Sequence, residues 1–318
     1  MDLRDIYAAR GRIKRHIRET PLERSLFLSE LCGGEVWMKL ENQQFTGSFK
    51  VRGATNKLLQ LSDEERARGI VTASAGNHAQ GVGYAANMLG IEATVVVPEN
   101  TPMVKKVAIR RYGVDLVVYG GEYMDAERLA RRMERDQGMT FVSAYNDLDV
   151  ITGQGTIGLE LIEALPDLEN VIVPVGGGGL VSGVGCAVKS MDTGIDVIGV
   201  QSVASPVMYE SIKQGRIVEI ELEDSVAEGL HGGIEEGSVT FELCKRYVDD
   251  FILVEEKPIL RAISKMLSEQ HQVVEGAGAV GVAAIIKNPR RFKGKITGVV
   301  ISGGNVEPEL LEEAIHEE

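Results

Sequence analysis

In 318 residues the chain holds only three cysteines, five histidines and one tryptophan. Cys32, Cys186 and Cys244 are widely spaced and odd in number, which excludes a disulfide framework and a clustered cysteine metal motif. They read as small buried hydrophobes. His16, His231, His271 and His316 have no metal-binding spacing and are assigned surface or core roles, so no metal ion is expected. No apolar run reaches the length of a membrane span, and Met1-Asp2-Leu3-Arg4-Asp5 lacks the apolar core of a secretory leader. The expectation is a cytoplasmic protein with no membrane partner. Basic charge is also short. Lys and Arg total 34 against 47 Asp and Glu, and the net charge of −13 argues against nucleic acid and anionic lipid as partners. There is no internal repeat, no low-complexity segment and no Pro- or Ser-rich linker.

What remains is a globular composition, 44% hydrophobic and 25% charged. Continuous apolar runs of strand length occur at 69–72, 93–97, 115–118, 140–143, 170–175, 196–200 and 296–301. Runs with no polar alternation fit strands buried on both faces. Helical patterns separate them at 78–89, 103–112, 124–137, 180–190 and 260–270, and two of these run into glycine at Leu89-Gly90 and Tyr112-Gly113. The alternation predicts an α/β fold of two open, mainly parallel sheets flanked by helices. Polar stretches at Leu61–Arg66 and Asn146–Asp149 mark crossovers. They predict a small α/β domain over 67–147, inserted in a large domain formed by 1–66 and 148–318.

Three glycine- or serine-bearing loops and one lysine carry the chemistry. Lys50 sits in Ser48-Phe49-Lys50-Val51-Arg52, between an aromatic and a small apolar residue. A solvated lysine needs no such surroundings. A lysine that bonds a flat cofactor must shed its proton, and desolvation or nearby positive charge promotes that loss. Arg52 is one candidate source of the charge. Downstream, Val173-Pro174-Val175 feeds Gly176-Gly177-Gly178-Gly179 and then Leu180. Such a strand-to-helix turn either binds nothing or lets converging amides and the helix dipole hold a phosphate, and a run of four glycines favours phosphate. A dinucleotide fits less well. Ser182 stands where the third fingerprint glycine belongs, and the next strand ends at Gln201 rather than at an acid.

A second helix start, Ser74-Ala75-Gly76-Asn77-His78, follows another strand. Ser74 and Asn77 serve there as N-caps, or the helix start holds a carboxylate while Asn77 donates to an oxygen on the cofactor. His78 reads as a general base or as a packing histidine. Ser302 closes the last strand at its carboxyl end, where α/β sheets place ligands, and its hydroxyl suits a ring nitrogen. Glu275, before Gly276-Ala277-Gly278-Ala279, is a weaker candidate for lining the site.

Together these residues resemble the serine/threonine dehydratases, within the fold type II (tryptophan synthase β-like) pyridoxal-phosphate enzymes. The resemblance runs from Thr20-Pro21-Leu22 to Ser302-Gly303-Gly304-Asn305. It implies pyridoxal 5'-phosphate bonded to Lys50, with Phe49 packed on its ring and Asn77 on its 3-hydroxyl. Gly176, Gly177, Gly178, Gly179 and Leu180 would hold its phosphate, and Ser302 its pyridine nitrogen. Substrate would meet Ser74, Ala75, Gly76 and His78. The implied activity is an ammonia-lyase: Lys50 removes the Cα proton of L-threonine or L-serine, water is eliminated, and a 2-oxo acid and ammonia result. The resemblance also implies a homodimer or higher homo-oligomer.

Departures refine this. Serine racemases of the family carry a serine directly before Gly-Asn-His, and Ala75 stands there. Their cation site uses acids after the strand ending at Gln201, where this chain has none. The segment Ala227–Gly237 departs from the usual dehydratase pattern and points to another β-hydroxy amino acid if it lines the substrate side. A racemase and a β-replacement enzyme are the alternatives of the same fold, and a NAD-binding oxidoreductase is the disfavoured alternative of another class.

Overall fold

The computed structural model describes residues 1–317. Ten strands form two sheets among these residues. They are β1 (Leu22–Ser25), β2 (Glu35–Leu40), β3 (Ile70–Ala73), β4 (Ala93–Val97), β5 (Asp115–Val118), β6 (Thr140–Phe141), β7 (Asn170–Pro174), β8 (Asp196–Ser202), β9 (Asp250–Val254) and β10 (Ile296–Ile301). One sheet has the order β1-β2-β10-β7-β8-β9 and the other β5-β4-β3-β6. Every pairing is parallel except that of edge strand β1 with β2, where Leu22 faces Lys39. The α/β architecture of two mainly parallel sheets is therefore as the apolar runs predict.

The helices are α1 (Leu3–Ile13), α2 (Leu26–Cys32), α3 (Lys50–Leu59), α4 (Asp63–Arg68), α5 (Asn77–Leu89), α6 (Met103–Arg110), α7 (Tyr123–Gln137), α8 (Leu148–Ala164), α9 (Gly179–Met191), α10 (Val207–Gln214), α11 (Val239–Tyr247), α12 (Glu256–Gln270), α13 (Gly276–Lys287) and α14 (Pro308–His316). Both sheets are covered on both faces. On the six-stranded sheet, Leu28, Ile263 and Val280 pack on one side, and Leu161, Val181 and Val184 on the other. On the smaller sheet, Leu58 and Val82 pack on one face and Ala126 and Ala130 on the other. Each large side chain buried this way contributes about 1.5–3 kcal/mol. The polar start Ser62-Asp63-Glu64-Glu65 opens α4 with a reciprocal capping box between Ser62 and Glu65. Gly90 ends α5 at φ 66°, as the Leu89-Gly90 signal predicts.

The run 140–143 pairs as a strand only over its first two residues. The Val142 amide still donates to the Val71 carbonyl at 2.9 Å. The Val142 carbonyl, however, accepts from the Thr72 hydroxyl and contacts the His78 ring instead of continuing a ladder. Side chains thus end this strand, and the chain leaves it as an edge of carbonyls. β1 and β2 are unforeseen in the apolar pattern, because Glu23, Arg24, Glu35 and Lys39 interrupt it, and β9 is unforeseen although Phe251-Ile252-Leu253-Val254 is apolar throughout.

The topology decides where the loops meet. β10 inserts between β2 and β7, so strands from the two ends of the chain become neighbours. The loops leaving the carboxyl ends of β2, β7 and β10 converge there, and those leaving β3 and β6 face them. Such a switch point is where open α/β sheets leave a crevice.

Candidate active site

Along this crevice the buried core gives way to half-buried residues: Phe49 and Lys50, Ser74 to Asn77, Ala144 to Asp147, Gly176 and Gly177, and Glu275. Lys50 opens α3, which has no side-chain N-cap. Its Nζ donates to the Ala144 carbonyl at 2.9 Å and lies 5.2 Å from the Phe49 ring centroid. The Phe49 amide donates to the Ser302 carbonyl at 3.0 Å, and Ser48 bridges Gly303. The end of β10 therefore fixes the residue next to Lys50. The Ser302 hydroxyl is buried and donates to the Ala277 carbonyl at 3.3 Å.

Burial lowers the Lys50 pKa to about 8, with Glu275 pulling the other way. Arg52 supplies none of this effect, which corrects the expectation. Its fully buried guanidinium turns away and bonds Glu41 and Glu160 instead. In cofactor-free protein the acylation rate of Lys50 should rise through a midpoint near pH 8, since only the deprotonated amine reacts. A midpoint near the ordinary lysine value of about 10.4 would contradict this.

Two helix starts flank Lys50. At α9, Gly178 is the N-cap with φ 86°, a conformation that L side chains resist. Among the described residues, no protein group accepts from the amides of Gly176, Gly177, Gly178, Gly179 or Leu180. Five amides at a positive helix end make an anion cradle. A Cβ on Gly177 would stand 2.5 Å from the Tyr145 ring, and one on Gly178 would stand 2.9 Å from Cys244 Sγ. Gly177→Ala should consequently push Tyr145 and the loop apart. The expected result is a weakening of cofactor binding by about 100-fold with unchanged circular dichroism, the size of losing one or two charge-assisted hydrogen bonds. Titration of the variant with cofactor would check it.

The second start is α5, whose N-cap Gly76 has no side-chain cap bond. Ser74 Oγ takes the Gly76 amide at 3.2 Å, while the amides of Ala75 and Asn77 have no protein acceptor among the described residues. Asn77 is already engaged. Its Nδ2 donates to Glu275 Oε1 at 2.7 Å, and its Oδ1 accepts from Asn305 at 2.7 Å, leaving one N–H free. Burial raises the Glu275 pKa to about 7, against hydrogen bonds from Asn77 and the Asn305 backbone. Glu275, weakly marked in the sequence, thus lies at the centre of the site.

His78 is buried, with Nε2 3.0 Å from the Val142 carbonyl and Nδ1 without a partner. The contact assigns the proton to Nε2. Burial, and next the Lys50 charge, lower its pKa to about 3. His78 and Lys50 thus dock on the carbonyls of residues 142 and 144 of one extended edge. Gly81, on the same helix face as His78, allows this approach, since a Cβ there would stand 3.0 Å from the Lys50 carbonyl carbon.

Sequence reasoning missed Ala144, Tyr145 and Asn146. Tyr145 Oη accepts from the Glu235 amide at 3.0 Å, and Asn146 Nδ2 donates to Glu235 at 2.8 Å. A tyrosine and an asparagine after a short strand carry no local signal of this. The segment Ala227–Gly237 does border the site. Leu230 Cα would stand 3.0 Å from a Gly176 Cβ, and Gly229 faces Ala277 and Glu275. At the end of β8, the Gln201 carboxamide donates to the Ser205 carbonyl and accepts from the Tyr209 amide. No group of three metal-ligating side chains converges among the described residues.

Fold and site together define a two-sheet α/β protein that presents one desolvated lysine to two anion-seeking helix starts. The chain belongs to the pyridoxal-phosphate dependent enzyme family, which it matches over residues 13–303. It is 47% identical to the L-threonine ammonia-lyase of Thermotoga maritima over 314 residues, 99% of this chain and 78% of that protein. Threonine deaminase isoform 2 of Solanum lycopersicum superposes with a TM-score of 0.94 at 35% identity, covering 98% of this chain and 86% of that one. Maize serine racemase superposes with a TM-score of 0.93 at 31% identity, covering 99% and 97%.

Proposed function

We propose that this protein is a pyridoxal-phosphate-dependent ammonia-lyase that eliminates water from L-threonine and L-serine, giving a 2-oxo acid and ammonia. The observation that carries the reading is the placement of Lys50 between two helix starts with unpartnered amides. One suits the cofactor phosphate and the other a substrate carboxylate. Pyridoxal phosphate supplies an electron sink for negative charge at the substrate Cα.

The chain's own residues do the rest. Gly176, Gly177, Gly178, Gly179 and Leu180 would hold the phosphate, Ser302 would meet the ring nitrogen, the free N–H of Asn77 would meet the ring oxygen, and Phe49 would pack on the ring. Ser74, Ala75, Gly76 and Asn77 orient the substrate carboxylate. Lys50, with a pKa near 8, takes the Cα proton, and the Ala144 carbonyl directs its amine. His78, neutral and held on Val142, supports the same edge beside the substrate.

The racemase reading is favoured by the likeness to maize serine racemase. It needs a second acid or base opposite Lys50, and Ala75 has no ionisable group. The test is a 2-oxo acid assay over a panel of β-hydroxy amino acids, with chiral analysis of the unreacted substrate. Racemised serine without 2-oxo acid would overturn the lyase assignment.

We further propose that 67–147 is an inserted domain within 1–66 and 148–318, a division supported by all strands of the smaller sheet lying between residues 70 and 141. No helix among the described residues is long and apolar enough to cross a membrane. We also propose a cytoplasmic homo-oligomer whose partner is an amino-acid substrate; the net charge of −13 argues against nucleic acid and anionic lipid as partners.

A further inference from the structure

Two walls of the site come from distant parts of the chain. One is the turn Glu228–Leu230, which covers Gly176 and faces Glu275. The other is the stretch after Ser302, where Asn305 donates to Asn77. No residue of the turn is fully buried, and Leu230 packs only in part against the core. Its backbone bonds are local: Leu230 N–H to the Ala227 carbonyl and His231 N–H to the Glu228 carbonyl. Both walls meet the same cation. Lys105 Nζ, on α6 of the smaller sheet, lies 2.7 Å from Glu228 Oε2 and 3.0 Å from Glu307 Oε1.

We propose that Lys105 is a positioning residue for the elimination reaction, pinning the Glu228 turn and the Asn305–Glu307 stretch to α6 so that both walls stay closed around a bound amino acid. Without Lys105, two carboxylates would face each other and push the walls apart. Glu228 is 66% exposed, so water screens the effect and keeps it graded rather than absolute. The inference rests on the ammonia-lyase reading for its kinetic arm only.

The test compares Lys105→Met and Lys105→Arg with the unaltered chain, all loaded with cofactor. Lys105→Met should raise KM for threonine about 5-fold, the size of losing one to two partly exposed ion pairs, with kcat within about twofold. Lys105→Arg, which keeps the charge, should restore KM. Amide hydrogen exchange in 227–232 and 304–308, measured without substrate, should quicken in Lys105→Met and return in Lys105→Arg. Unchanged KM with unchanged exchange, or a fall in kcat at constant KM, would overturn the proposal. If Lys105→Met does not fold, Glu307→Gln, which keeps the Lys105–Glu228 pair, should give a smaller rise in KM, and no rise would overturn the proposal. If the unaltered protein makes no 2-oxo acid at all, the ammonia-lyase reading fails, and the exchange comparison alone decides the role of Lys105.

Discussion

Lys50→Ala is expected to cut 2-oxo acid formation by about 1,000-fold or more while the protein stays folded. The size follows from the role proposed for the amine, as the base that takes the substrate Cα proton and as the group that bonds the cofactor. The fold should survive because the amine makes a single hydrogen bond, to the Ala144 carbonyl, and truncation takes an ammonium out of dry surroundings. Two measurements separate chemistry from folding. Thermal melting should shift by only a few degrees, as a change of about 1 kcal/mol produces in a chain of this size. The unaltered protein loaded with cofactor should show a visible band that borohydride bleaches, leaving the label on Lys50, and the variant should take up no label. Full turnover by Lys50→Ala would remove Lys50 from the mechanism.

Arg52→Met, two residues along the same helix, should do the reverse, with stability failing first. Arg52 is fully buried and forms two bidentate pairs. Its Nε and Nη2 lie 2.8 Å from the two oxygens of Glu41, and its Nη1 and Nη2 lie 2.5 and 2.8 Å from those of Glu160. Lys39 Nζ reaches Glu160 at 2.5 Å as well. Burial alone would push the Glu160 carboxyl up, but Arg52 and Lys39 outweigh it and hold it below the usual range. Burial likewise works against the Arg52 charge, and Glu41 and Glu160 overcome it. Methionine fills much of the space and leaves Glu41, itself fully buried, without a cation. Breaking a buried pair from one side costs about 3–5 kcal/mol. Urea unfolding should report a loss in that range, and adding Glu41→Gln to the variant should recover part of it. A loss under about 1 kcal/mol would mean that the network is solvated and weak.

The two residues show how legibility divides. Lys50 was marked by its aromatic and apolar neighbours together with glycine-rich turns elsewhere in the chain, each of which is a short segment readable by itself. Arg52 was misread as a source of charge for Lys50. Its side chain answers to Glu41 and Glu160, and Glu160 comes from α8, 108 residues away. Seven strands were legible from their apolar runs, while β1 and β2 were not, because charged residues sit within them, and β9 was passed over despite its apolar run. Glu275 was marked only faintly. Its weight comes from Asn77, 198 residues distant in sequence.

By itself the sequence determined the α/β class and marked Lys50, the tetraglycine turn and the second helix start as candidates, because glycine conformation and burial of apolar runs are properties of short segments. Only the tertiary structure decided that these parts face one another. That depends on β10 inserting between β2 and β7, on the edge at 142–144 carrying both His78 and Lys50, and on Lys105 meeting Glu228 and Glu307. Such contacts are set by the packing of sheets and helices across the whole chain, and no window of neighbouring residues contains them.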